Sequence, residues 1–244
     1  MTAARSRPAF YALRPGGWRD YVTLLHPPYT VWHLSYVVIG GTLAQRENWR
    51  VLGLTIAAFA LALGVGAHAL DELRGRPLGT RIPTPVLVAL AAGPIAAAAG
   101  IGVAVAVEQT LWLLFFVAAG AFLVVAYNLE LFGGRFHSDL WFALAWGVFP
   151  LLTGYFAVAE RIRGDAVAGA AFALLLSLAQ RVLSRRVRDL RRRAERIAGT
   201  VVYADGTTEI VDAATLTKAP EQALLLLAGS TLALAAALVL HRLL

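Results

Sequence analysis

Long apolar stretches alternate with short polar ones along nearly the whole of the 244-residue chain. Crossing the hydrocarbon layer of a bilayer as a helix takes about 20 predominantly apolar residues. Seven stretches approach that length: Pro28–Ala44, Val51–Leu70, Pro85–Val107, Gln109–Leu129, Leu140–Ala159, Ala166–Leu183 and Pro220–Leu240. The pattern predicts an all-α integral membrane protein of about seven transmembrane helices. The third and fourth stretches are parted only by Glu108 and Gln109, which predicts a tight helical hairpin. Small residues crowd several stretches, as from Ala91 to Gly100, and let helices approach closely where lipid offers no hydrophobic drive. Beyond the sixth stretch the apolar period gives way to an Arg-rich helical continuation, Gln180–Arg196. Residues Thr200 to Val211 then alternate around Asp205-Gly206, a strong hairpin signal. The organisation that follows is an N-terminal cytoplasmic segment (1–19) and a single membrane domain (20–244). Within that domain, 184–219 form an Arg-rich helix and a small cytoplasmic β-hairpin insertion.

Composition agrees: 59% of residues are hydrophobic and 15% charged, where soluble domains carry about 25% charge. The absence of cysteine excludes a disulfide framework and a thiolate metal site. All 22 basic residues are arginine except Lys218, and the net charge is +7. These cations flank apolar spans, so they read as topology signals rather than as a nucleic-acid surface. Arg46, Arg50, Arg161, Arg163 and Arg242 fall on one side of the spans and all the other cations on the opposite side. The positive-inside rule therefore puts the N-terminus and the motif-bearing loops in the cytoplasm and the C-terminus outside, with the chain in the cytoplasmic (inner) membrane. The start of the chain lacks the short apolar core and cleavage site of a secretory signal, so the first span is expected to be retained. Trp18, Trp32, Trp49, Trp112, Trp141 and Trp146 lie mostly near span ends and read as interfacial anchors.

The densest chemistry runs from Gly66 to Pro83, where a span ends in His68, Asp71 and Glu72 and continues through Arg74, Arg76 and Arg81. His68 is spaced i, i+3 from Asp71 and i, i+4 from Glu72, so all three can share a helix face. Magnesium takes hard oxygen ligands and often one or two carboxylates plus substrate phosphates, which Asp71 and Glu72 suit, with His68 as a further candidate. The arginines can hold a diphosphate directly. The alternative from the residues alone is plain pairing of the carboxylates with the arginines in a solvated turn. His26 and His33, seven residues apart, can face the same way on the first helix, a spacing compatible with bis-histidine haem, although His26 precedes Pro27-Pro28. A transporter is disfavoured by the lack of mid-span carboxylates and of a clear pair of interrupted helices.

The order of spans, with polar loops after the second, fourth and sixth, resembles the UbiA-type membrane prenyltransferase superfamily. In that superfamily the loop after the second helix carries Asn-Asp-x-x-Asp-x-x-x-Asp, which holds magnesium and the prenyl diphosphate. The register here is Ala67-His68-x-x-Asp71-x-x-x-Gly75, followed by Arg76-Pro77-Leu78, similar to the superfamily's Arg-Pro-Leu/Ile tail. Asp71 matches a superfamily carboxylate, Ala67 and Gly75 replace two others, and Glu72 is the candidate substitute. The loop after the fourth span, Tyr127 to Asp139 with Glu130 within it, is similar to the quinone-biosynthesis branch. Read without that resemblance, the same loop is an interfacial Tyr, a flexible turn and an N-cap at Ser138 or Asp139. Where the superfamily has a second Asp-rich run after its sixth helix, this chain has Gln180 to Asp189. That run contains Arg181, Ser184, Arg185 and Arg188, with Asp189 as its acidic residue. Three readings stay open for it: arginines neutralising the diphosphate, loss of metal and reaction, or a topology and lipid-headgroup role. Superfamily members carry nine spans, against seven countable here.

The resemblance implies a UbiA-like bundle that transfers a prenyl group from a prenyl diphosphate to a hydrophobic acceptor, such as a quinone precursor or lipid, at the cytoplasmic face. It implies Asp71, Glu72, Tyr127 and Glu130 as catalytic residues, Arg76, Arg81, Arg181 and Arg185 as diphosphate ligands, and Mg2+ on Asp71, Glu72 and His68. The competing expectation is a non-enzymatic relative, a scaffold or lipid-binding protein that has lost the second metal site. Membrane lipids are expected neighbours and nucleic acid is not. If one site exists, Asp71, Glu72, Tyr127, Glu130 and Arg185 should converge on a single cavity.

Overall fold

The computed structural model describes residues 8–244. Residues 1–7, which carry Arg5 and Arg7 of the expected N-terminal cytoplasmic segment, lie outside the described residues. A short helix, α1 (Trp18–Leu24), precedes α2 (Pro27–Leu43), α3 (Trp49–Leu73), α4 (Thr84–Glu108), α5 (Leu113–Asn128), α6 (Asp139–Ala159) and α7 (Gly164–Arg192). A hairpin of β1 (Gly199–Val202) and β2 (Thr208–Val211) leads into α8 (Ala213–Leu243). Each expected apolar stretch coincides with one helix from α2 to α8. Five of these, α3, α4, α6, α7 and α8, are long and apolar enough to cross a membrane. At 16 residues, α5 is apolar but shorter. It rises about 24 Å against a hydrocarbon layer of about 30 Å. The 17 residues of α2 rise about 26 Å.

Local chemistry sets the helix ends. Pro27 and Pro28 begin α2, where missing N–H groups cost nothing. Asn48 Oδ1 accepts from Val51 N at 3.1 Å, Ser138 Oγ from Trp141 N at 3.2 Å and Asp212 Oδ1 from Thr215 N at 2.7 Å, capping α3, α6 and α8. Two helices are locally underwound: α3 is π-helical over Ala60–Ala67 and α6 over Leu144–Val148.

α2 lies at the centre, packed along α6 and α8. Close approach of α2 and α6 depends on glycine. A Cβ on Gly40 would collide with the carbonyl of Leu151, and one on Gly154 with that of Val37. Trp32, expected at the interface, is fully buried and donates its indole N–H to Tyr36 Oη at 2.9 Å. Its place near the start of α2 does not expose it, because α6, α7 and α8 enclose that helix. Trp18 and Trp112 are exposed, as an interfacial position requires.

Helix direction alternates, so the polar connections collect at two ends. At one end Arg46 pairs with Glu160 at 2.8 Å, Arg50 pairs with Glu108 at 2.6 Å, and Arg242 donates to the carbonyls of Thr42 and Ala44. The connections α3–α4, α5–α6 and α7–α8 share the other end with residues 8–26. The hairpin forms around Asp205-Gly206 as the alternation predicts, pairing Thr200 with Ile210 and Val202 with Thr208. Asp205 Oδ1 accepts from the backbone and hydroxyl of Thr207, at 2.9 and 2.7 Å, which holds that carboxyl below the usual range.

Candidate functional site

The Arg-rich end opens into a polar cavity of about 450 Å³, within the size range of small-molecule sites. One helical face supplies much of its lining. Arg181, Ser184, Arg188 and Arg192 recur along α7 at i, i+3, i+7 and i+11, the repeat of a single α-helical stripe. Opposite them stand His26, Tyr29 and His33 from the start of α2, and His68 and Asp71 from the end of α3. Tyr127 and Glu130 come from the α5–α6 connection, and Phe10 and Tyr11 from the chain preceding α1.

Five arginines line the cavity: Arg74, Arg181, Arg188, Arg192 and Arg193. Three face carboxylates: Arg74 pairs with Glu130 at 2.7 Å, Arg181 Nε with Asp139 at 2.9 Å and Arg193 with Asp189 at 3.3 Å. Arg181 also lies over the Phe142 ring, 4.9 Å from its centroid. Arg188 and Asp71 are half-buried in the cavity, and among the described residues no ion pair or side-chain hydrogen bond engages either one. A charge withdrawn from bulk water without a partner is costly, so both are suited to a charged ligand. Within the lining the rings of His26 and His68 stack at 4.1 Å with 15° between their planes. His68 Nδ1 lies 3.1 Å from the carbonyl of Gly64, inside the π-helical stretch of α3. Burial, reinforced by His68, holds the His26 imidazole well below its ordinary pKa and so neutral. The ring stacked on His26 is thus that of His68 of α3.

A second cavity, of about 110 Å³, lies deeper between α3, α4, α5 and α6. Its wall is apolar, with Phe59, Ile95, Phe116, Val124 and Phe149 among the lining. Leu63 and Trp146 line both cavities. Each belongs to a π-helical stretch, where an extra residue per turn widens the helix and redirects side chains. Trp146, expected at the interface, therefore sits between a polar and an apolar chamber.

Of the residues singled out in the sequence, His68, Asp71, Tyr127, Glu130 and Arg181 line the polar cavity. Glu72, Arg76, Arg81 and Arg185 do not. Glu72 is fully buried on the other side of α3, where it organises the α3–α4 connection. Its Oε2 accepts from Leu78 N at 3.0 Å, and its Oε1 from Thr80 N and Thr80 Oγ1, both at 2.8 Å. Arg76 ties down the same connection, donating to the carbonyl of Ile82 at 2.5 Å and to Thr84 Oγ1 at 3.0 Å. Arg81 has an exposed side chain, and its backbone N–H donates to Asp20 Oδ2 at 2.8 Å. Arg185 is exposed and pairs with Asp139 alongside Arg181.

These placements bear on the magnesium site. Among the described residues no three His, Asp or Glu side chains cluster so as to hold a metal ion. Glu72 has both oxygens engaged, Glu130 is paired with Arg74, and Asp71 is left as the unpaired carboxylate of the cavity. The donor set does not fit a protein-held magnesium cage, and the cations facing the cavity are guanidinium groups. Arg192 was missed as a site candidate in the sequence, and Arg188 stood there only among the arginines of the run after the sixth span. The seven- and eleven-residue intervals from Arg181 are the signal that marks them.

No family model, curated protein or solved structure matches the chain.

Proposed function

We propose that the chain binds a prenyl diphosphate at the cytoplasmic face of the inner membrane and transfers its prenyl group to a hydrophobic acceptor. In this reading α2 and α5 complete a seven-span, UbiA-like bundle, and the arginine count places the cavity end in the cytoplasm with the C-terminus outside. The observation that carries the reading is the junction at Leu63 and Trp146. There an Arg-lined chamber meets an apolar one, matching the two halves of a lipid diphosphate. Arg188 and Arg192 neutralise the diphosphate, with Arg181 steadied beside them by Asp139. Heterolysis of the allylic C–O bond leaves the electron pair on the diphosphate, and the guanidinium groups stabilise the departing charge. The allylic cation lies against the rings of Tyr127, Phe142 and Trp146. The acceptor's nucleophilic atom bonds to that carbon, and the proton it sheds passes to the Asp71 carboxylate.

A non-enzymatic lipid-diphosphate binder is the second reading, favoured by the lack of a clustered metal-ligand set among the described residues. Tritiated geranylgeranyl diphosphate, titrated into nanodiscs carrying the purified chain, tests the proposal. Saturable binding that persists in EDTA and weakens about 10-fold or more in Arg188→Ala is expected, since a bond to a charged group contributes about 1.5–3 kcal/mol. Equal binding by the variant, or geranylgeraniol binding as tightly as the diphosphate, overturns the reading. Release of inorganic diphosphate on addition of an aromatic alcohol separates the transferase from the binder.

A further inference from the structure

The connection from α5 to α6, Leu129 to Ser138, carries an apolar surface that the described residues leave uncovered. Phe132 is 69% exposed, and Leu131 and Leu140 are exposed beside it. Their neighbours form one run of rings over the outside of the bundle. Phe122 of α5 meets Phe132 and Phe136 at 6.4 and 5.1 Å, and Phe136 meets Trp141 of α6 at 4.7 Å. The other side of the same connection is polar. Tyr127, Glu130 and His137 line the cavity, with Glu130 paired to Arg74. A few residues of chain therefore separate the polar cavity from an apolar outer face.

Backbone, length and hydrogen bonding together say what covers that face. Glu130 and Phe132 both hold left-handed backbone, at φ 48 and 56, which is unfavourable away from glycine and rare for a bulky ring. Water gives no return for such strain when its result is an exposed phenyl group, and hydrocarbon does. α5 is also short, its rise of about 24 Å falling about 6 Å below the hydrocarbon thickness. The exposed Trp112 marks its far end as the interfacial one, so the deficit falls where the connection begins. Chain at that depth must pair its own backbone. The amides of Leu129, Glu130, Gly134 and His137 donate to the carbonyls of Val125, Tyr127, Glu130 and Gly134, and the Leu129 carbonyl accepts from Arg74 at 2.6 Å. With Glu130 turned to the cavity, Arg135 is the one other permanently charged residue of the connection, and its long side chain can reach the phosphate layer from below.

We infer that the α5–α6 connection lies in the acyl layer of the bilayer, as an elbow beneath the headgroups with the Phe132 ring among the lipid chains. The partner of this face is lipid, and the contact continues the lipid-facing side of α5 at Phe122. The bilayer then backs the connection from outside and holds Tyr127 and Glu130 at the cavity wall. The inference rests on the reading of α5 as a span. It does not depend on what the cavity binds.

The chain has no cysteine, so Phe132→Cys, Phe122→Cys and Ile210→Cys each place one nitroxide spin label on the full chain. The variants are reconstituted in vesicles of phosphatidylcholine and phosphatidylglycerol. Power saturation then compares collisions with oxygen, which concentrates in hydrocarbon, and with a nickel chelate, which stays in water. Phe122, 44% exposed on α5, is the lipid standard, and Ile210, 77% exposed on the hairpin, is the aqueous one. The oxygen-to-nickel ratio at Phe132 should match that at Phe122 and exceed that at Ile210 by about 10-fold, a partition bias of about 1.4 kcal/mol. Leu131→Cys replaces Phe132→Cys if thermal unfolding shows that the latter misfolds. A ratio at Phe132 equal to that at Ile210 overturns the inference. Poor access of both reagents also overturns it, and dipolar broadening that grows with protein density then marks a second copy as the cover. An aqueous ratio at Phe122 refutes α5 as a span and the elbow with it. A lipid ratio there beside an aqueous one at Phe132 refutes the elbow alone. The diphosphate reading is tested separately, through Arg188.

Discussion

Replacing Glu72 by alanine should damage the fold and not merely a ligand site. The carboxylate is fully buried and accepts three hydrogen bonds at 2.8–3.0 Å from Leu78 and Thr80, spanning the connection that carries Arg76. Hydrogen bonds to a charged group contribute about 1.5–3 kcal/mol each, and buried donors left unpaired cost about 1–3 kcal/mol. A simple total is an upper bound, because water reaches the emptied site and the three bonds act as one unit. A loss of about 3 kcal/mol is the working value, about half what the three bonds give singly. For a chain of this size that corresponds to a drop in Tm of roughly 6–12 °C. Thermal unfolding of the detergent-solubilised protein, followed by circular dichroism, measures it. The loss should be the same with magnesium and with EDTA, and Glu72→Gln should recover part of it by keeping one acceptor oxygen. An unchanged Tm in Glu72→Ala, or a Tm that rises with magnesium in the wild type only, would falsify the assignment of Glu72 to the turn.

Two further outcomes follow from the packing. Burial depresses the folded-state pKa of His26 while the unfolded chain titrates near its ordinary value of about 6.5. Below that pH the unfolded state binds the extra proton, so stability falls as pH drops, by at most about 1.4 kcal/mol per pH unit from this residue. His26→Asn, which tolerates the left-handed backbone at φ 46, should flatten the fall in Tm between pH 7 and 5; an identical slope in wild type and variant would count against it. Gly154→Ala should cost about 1–3 kcal/mol by forcing α6 away from the Val37 carbonyl of α2. Gly53→Ala, with open space around it, serves as the unaffected control in the same melt, and a matching Tm for both variants would remove the close-approach argument.

The helices from α2 to α8 were legible in the chain, and α1 was not, because hydrocarbon demands long apolar runs with internally satisfied backbones, a requirement written residue by residue. The hairpin was legible for the same local reason, since Asp205-Gly206 supplies a turn that few other dipeptides tolerate. The side on which the arginines gather also followed from the sequence, because short connections force alternate helices to run in opposite directions. Membership of the site did not follow. Neighbouring carboxylates Asp71 and Glu72 look equivalent in sequence. About 100° of helix rotation sends one into the cavity and buries the other under its own connection. Arg185 resembles Arg181 and Arg188, and both it and Arg181 pair with Asp139 of another helix, yet Arg181 lines the cavity and Arg185 does not. Trp32 and Trp146 look like membrane anchors until α2 is placed at the centre of the bundle. The junction of polar and apolar chambers needs Leu63 and Trp146 side by side from helices far apart in the chain. Local propensity and hydrophobic length thus determine the elements. Which charges keep a partner, and which are left facing a cavity, depends on contacts between residues distant in sequence, and only the packed bundle decides it.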